Sequence, residues 1–258
     1  MADPSDRRFG AVAVVAHAFL IIRRRALALA TVGLLVAVPA HLAVGGIGLR
    51  DFGASYAARP QPTEVLVTTL VDLLVVVPLA GVAATLLVVR APQEQATGPG
   101  RALEFGLDRY PRTAATIALA ALGIGGGLLL FVLPGIYLAV RWSLALPVVA
   151  LEGLGPVSAL RRSGELTAGA FWRASLVLAC GWLLASAITL AIGAPFESLA
   201  RSANDASWSL LGQAFTSALA IPAYTVCTAV LYFDRRSNGA LREAVDLGAG
   251  GQSGDGHE

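Results

Sequence analysis

Lysine is absent from this chain, whose 19 basic residues are all arginine. Charge of either sign is scarce. Only 14% of the 258 residues are charged, where a water-soluble domain carries about 25%. The net charge of +2 leaves no basic footprint for nucleic acid. There are two cysteines, Cys180 and Cys227, each inside an apolar run. That excludes a disulfide framework or a CxxC redox site. Three histidines, His17, His41 and His257, are too scattered in sequence to indicate a metal site. No HExxH motif, close Ser-His-Asp set or paired-carboxylate cluster occurs. A metal-dependent phosphodiesterase would need several Asp, Glu or His side chains on one water-facing surface. No catalytic residue, metal or cofactor is therefore expected, and the chain does not read as an enzyme.

Apolar sequence is what this chain has in quantity. Hydrophobic residues make up 56% of it, and the mean hydropathy is +0.69. This is the composition of an all-α integral membrane protein. Crossing about 30 Å of hydrocarbon at about 1.5 Å per residue takes about 20 apolar residues. Six runs meet or approach that length: 26–47, 65–89, 113–132, 135–151, 172–194 and 208–233. The first begins too late and runs too long for a secretory signal. The third and fourth would be too long as one helix, so Pro134-Gly135 is the expected turn.

Arginine placement sets the orientation. With the amino terminus inside, fifteen arginines fall on the inner side and three on the outer, with Arg141 inside the fourth run. This asymmetry predicts an inner-membrane protein with both termini cytoplasmic. Inner segments also look helical. Residues 9–22 are apolar but short, and Arg23, Arg24 and Arg25 follow. That suits an interfacial helix within a cytoplasmic segment, 1–25. Residues 101–110 carry apolar side chains on one face and charges on the other. Residues 156–168 open on Pro156 and contain Arg161 and Arg162, with Glu165 placed to pair with Arg161 at i, i+4.

The plan is therefore three hairpins, each preceded by a short cytoplasmic interfacial helix, spanning 26–233. A polar tail, 234–258, is expected to be disordered from about 248. Trp142, Trp172, Trp182 and Trp208 read as interfacial anchors. Gly123 and Gly127 form a GxxxG patch suited to close helix packing, or to a second copy of the chain.

Two charges inside the spans need an explanation. Arg141 lies about 9 Å into the fourth span, and Asp72 about 12 Å into the second. An arginine at the centre of a span costs about 2.5–3.5 kcal/mol on insertion scales. The two are candidates for an ion pair or for the lining of a binding site.

Residues 133–173 contain LPGIYLAVRWSLALPVVALEG and then ALRRSGELTAGAFWR, and 231–236 read LYFDRR. This pattern resembles the membrane domain family of glycerophosphoryl diester phosphodiesterase and related uncharacterised bacterial inner-membrane proteins. Family members typically show Trp where this chain has Gly164 and a basic residue where it has Ala168. The resemblance implies a membrane domain; the soluble phosphodiesterase domain found in some relatives is not among these residues. The expected function is non-catalytic binding of membrane lipids or of another membrane protein, in envelope organisation. A transporter or channel-like protein, with an outer-facing polar cavity around Arg141 and Asp72, is the alternative. A membrane-embedded lipid-headgroup enzyme is a third reading.

Overall fold

The computed structural model describes residues 11–47, 62–89 and 98–250. Ten α-helices follow in order: α1 (Ala11–Arg24), α2 (Ala26–Ile47), α3 (Pro62–Val71), α4 (Val77–Val89), α5 (Pro99–Leu130), α6 (Val132–Arg141), α7 (Ala145–Glu152), α8 (Pro156–Thr167), α9 (Phe171–Ala203) and α10 (Ser207–Gly250). A π-helical turn, Asp72–Val76, joins α3 to α4. Among the described residues there is no strand. Six stretches among the described residues are long and apolar enough to cross a membrane: Ala26–Ala43, Val65–Val89, Pro99–Leu130, Val132–Glu152, Phe171–Ala203 and Ser207–Ser237. Each contains or overlaps one of the six runs read from the sequence.

Helix α4 is the axis of the core. Ala80, Val82, Ala83 and Ala84 are completely enclosed. Helices α2, α5, α7 and α10 pack around it. Small residues let these helices approach closely. A Cβ on Gly33 of α2 would overlap the Ala218 carbonyl oxygen of α10. A Cβ on Gly106 of α5 would lie 3.0 Å from the Leu79 carbonyl oxygen. The outer shell is the reverse, with Leu27, Leu122, Leu129, Leu133 and Trp172 largely exposed. Apolar side chains facing outward around a helical core are what a bilayer requires.

Buried threonine hydroxyls of the spans are satisfied inside their own helices. Thr85 donates to the Gly81 carbonyl at 2.9 Å, Thr116 to Arg112 at 2.7 Å and Thr225 to Ile221 at 2.8 Å. Each therefore sits in the core without needing water or a partner helix.

Several boundaries differ from expectation. The turn between the third and fourth spans is at Phe131, not Pro134-Gly135. Phe131 is extended (φ −157°, ψ 142°), and its N–H donates to Gly127 O. Pro134 falls within the first turn of α6, where its missing N–H had no helical acceptor anyway. Gly135 instead permits contact, since a Cβ on Gly127 would come within 3.0 Å of its Cα. The amphipathic 101–110 segment is not separate. It is the first third of α5, which continues through Pro111 and packs along α4. Segment 195–207 is largely helix, because α9 runs on to Ala203 and turns at Asn204 (φ 51°). Helix α10 extends past 233 to Gly250. The disorder expected from about 248 therefore conflicts with helix up to Gly250, and 251–258 lie outside the described residues. Most of the first outer loop, with Arg50 and Arg59, also lies outside them.

Candidate functional site

The fourth span is broken. Helix α6 ends at Arg141, residues 142–144 turn, and α7 resumes at Ala145. Breaking a helix orphans backbone groups, and α8 supplies the replacement partners. The buried Ser163 hydroxyl donates to the Arg141 carbonyl at 2.8 Å. Its oxygen accepts from the Leu144 N–H at 3.1 Å. Thr167 reaches the same Arg141 carbonyl at 3.4 Å. Two left-handed glycines bracket α8: Gly153 (φ 67°), which caps α7, and Gly169 (φ 73°), which leads into α9. Both positions need a backbone that L side chains rarely adopt.

This docking places α8 against the Arg141 side chain. Arg141 donates to the Tyr137 hydroxyl at 2.7 Å, and its guanidinium carbon lies 5.6 Å from the Tyr137 ring centre. On the other side is Gly164, where a Cβ would sit 3.0 Å from Arg141 Nε. The absence of a side chain at Gly164 makes room for the guanidinium. Tyr137 stacks on Phe171 (centroids 5.5 Å apart), and Phe171 meets Trp172 edge-on at 5.8 Å. Trp172 is 83% exposed. Among the described residues no carboxylate pairs with Arg141 within 4 Å.

Neighbouring arginines are engaged. Arg161 pairs with Glu165 at 3.5 Å, the i, i+4 contact read from the sequence. Arg162 pairs with Glu152 at 3.4 Å and with Glu165 at 3.5 Å. Glu152 also accepts from Tyr232 at 2.7 Å, and Arg236 donates to the Tyr232 hydroxyl at 3.2 Å. Arg173 pairs with Asp234 at 3.0 Å. Arg235 donates to the carbonyls of Leu166 and Ala168. Segment 234–236 is thus a clamp that holds the α8–α9 corner on α10. Sequence reasoning missed this clamp; the FDRR run was its only signal. Arg23 and Arg24 form the last turn of α1, and Arg25 is the joint to α2.

Asp72 lies elsewhere. It opens the π-helical turn, where its Oδ2 accepts from Ser217 of α10 at 3.0 Å and its Oδ1 faces His41 Nε2 of α2 at 3.4 Å. The expected Asp72–Arg141 ion pair is not formed. Its place is taken by His41, which sequence spacing had left unassigned. A groove of about 460 Å³ lies between α9 and α10, lined by residues including Glu197, Arg201 and Gln213 and by neither Arg141 nor Asp72. Gly123 and Gly127 both face the α6 arm. A Cβ on Gly123 would strike the Trp142 ring. Among the described residues no three His, Cys, Asp or Glu side chains gather as a metal site.

Residues 115–232 match the family of the membrane domain of glycerophosphoryl diester phosphodiesterase. The resemblance read from residues 133–173 is borne out. The chain is also 35% identical over 96 residues to a UPF0259 membrane protein of Sodalis glossinidius (strain morsitans). That match covers 37% of this chain and 38% of the relative. The chain thus spans well under half the length of that relative. No solved structure matches. The chain is a multi-pass membrane protein. The family match takes in the whole Arg141 corner except Asp234, Arg235 and Arg236; it does not reach His41 or Asp72.

Proposed function

We propose that this chain is a non-catalytic integral membrane protein that binds an anionic phospholipid headgroup at the Arg141 corner. One observation carries the reading. A cation within a span, half-buried, has a tyrosine hydroxyl and ring as its partners and, among the described residues, no carboxylate. Such a charge needs a counter-charge or an aqueous outlet. A phosphate supplies the charge and suits the planar guanidinium, which can engage two of its oxygens. The surroundings fit a lipid rather than a free anion. Tyr137, Phe171 and the exposed Trp172 form an amphipathic ledge of the kind found at the headgroup level, and exposed leucines continue away from it.

The excess of arginine on one side favours an inner membrane and cytoplasmic termini. Contact of Arg141 with α8, and of its partner Tyr137 with Phe171 at the start of α9, puts it on that arginine-rich side rather than in the outer-facing cavity expected from its depth in the fourth span, and so favours an inner-leaflet lipid. Arg161 and Arg162, already paired with glutamates, help keep α8 at the surface while Arg141 offers the free donors. The test is selectivity for anionic over zwitterionic lipid in the wild-type chain and in Arg141→Gln.

A further inference from the structure

The second polar cluster within the spans has a different chemistry. We propose that His41 and Asp72 form a proton-binding site, holding one proton between them where α2, the π-helical turn and α10 meet. This does not depend on the lipid reading.

His41 Nδ1 lies 2.8 Å from the Ala37 carbonyl oxygen. A carbonyl only accepts, so Nδ1 carries a hydrogen. In a neutral ring Nε2 is then a bare acceptor. It faces Asp72 Oδ1 at 3.4 Å. Both atoms are buried and have no other hydrogen-bond partner. An ionised carboxylate is also acceptor-only. Without a proton, two lone pairs would face each other in an enclosed site, with both groups unsatisfied. A single proton, on either atom, turns the pair into donor and acceptor.

The remaining contacts hold this geometry. Ser217 donates to Asp72 Oδ2 and so fixes the carboxyl plane. The His41 side chain is 4% exposed and that of Asp72 is 28% exposed, which leaves one side of the carboxyl as the route for the proton. The facing groups are His41 from α2, Asp72 from the π-helical turn and Ser217 from α10. Among the described residues no other charged side chain lies within ion-pairing distance of either partner. A metal between the two acceptors would have two protein ligands, fewer than the three or four that zinc takes. Asp72 also opens a π-helical turn, a feature often found at functional sites. An ionisable pair within spans is likewise more often functional than decorative.

The site can therefore give the chain a proton-dependent state, clipped when the proton is bound and loosened when it leaves. The test is nitrogen NMR of histidine-labelled full-length chain in lipid nanodiscs, with His41→Gln assigning the signal. At neutral pH the wild-type ring should show hydrogen on both nitrogens, or one shared with Asp72. Asp72→Asn carries its own N–H donor and keeps an oxygen for Ser217, so its ring should be neutral with Nε2 accepting. The wild-type thermal midpoint should fall as pH rises and the proton leaves; that of Asp72→Asn should stay flat. A neutral wild-type ring beside an ionised carboxylate would overturn the proposal. So would equal pH dependence in the two proteins, or zinc bound between the residues. Carbon NMR of the Asp72 carboxyl in the same wild-type sample separates a neutral ring beside a protonated carboxyl, which supports the proposal, from one beside an ionised carboxylate, so the wild-type spectra decide the point even if a variant does not fold.

Discussion

The Ser163 hydroxyl donates to the Arg141 carbonyl at 2.8 Å, so α8 repairs the break in the span that it packs against. The same oxygen accepts from Leu144 N–H. One side chain thus satisfies one backbone group on each side of the break, and fixes where the Arg141 guanidinium lies.

Ser163→Ala removes both bonds from a buried site. Leu144 N–H loses its side-chain partner, and Thr167 remains within reach of the Arg141 carbonyl at 3.4 Å. The expected destabilisation is about 1–3 kcal/mol. Thermal unfolding in detergent measures it, and faster hydrogen exchange at the Leu144 amide locates it. Unchanged exchange there would mean that α8 does not support the break.

Gly33→Ala should be among the most damaging small changes. Its methyl would overlap the Ala218 backbone carbonyl, which cannot rotate away. Separating α2 from α10 should cost about 1–3 kcal/mol or more. Gly125→Ala, which meets open space on α5, is the control and should be neutral or slightly stabilising. Equal melting temperatures for the two variants would contradict the close crossing.

The Arg173–Asp234 pair clamps the start of α9 to α10, with Asp234 only 8% exposed. Removing one charge breaks a largely buried ion pair. Asp234→Leu should therefore cost about 3–5 kcal/mol. Arg173→Met with Asp234→Leu should recover much of that loss. A double variant no better than the single one would show that the clamp acts through other contacts of these residues.

Long features were legible in the sequence and short-range geometry was not. All six spans followed from run length against scarce charge, because the bilayer sets a minimum length that few soluble segments meet. Pro134-Gly135 misled because proline is as compatible with the first turn of a helix as with a turn, and glycine serves close contact as well as bends. The fusion of 101–110 into α5 was hidden because an amphipathic pattern does not say whether the apolar face meets lipid or α4. Arg141 and Asp72 stood out as costly charges. Their partners depend on the register between helices, which one sequence does not encode in any readable period. Hence His41, which meets Asp72 across 31 positions of chain, carried no signal. Gly164 became meaningful only when Arg141 was seen filling the space beside it.

The central claim is that Arg141 holds an anionic headgroup. The most direct measurement is the affinity of the full-length chain, in nanodiscs of zwitterionic lipid, for added phosphatidylglycerol, followed by native mass spectrometry. Arg141→Gln and Arg161→Gln are compared, with Arg161 exposed and paired to Glu165 on the same corner. The account predicts roughly tenfold weaker binding or more for Arg141→Gln, since a charge-assisted hydrogen bond contributes about 1.5–3 kcal/mol, and near wild-type binding for Arg161→Gln. Equal retention of phosphatidylglycerol by the wild type and Arg141→Gln would contradict it.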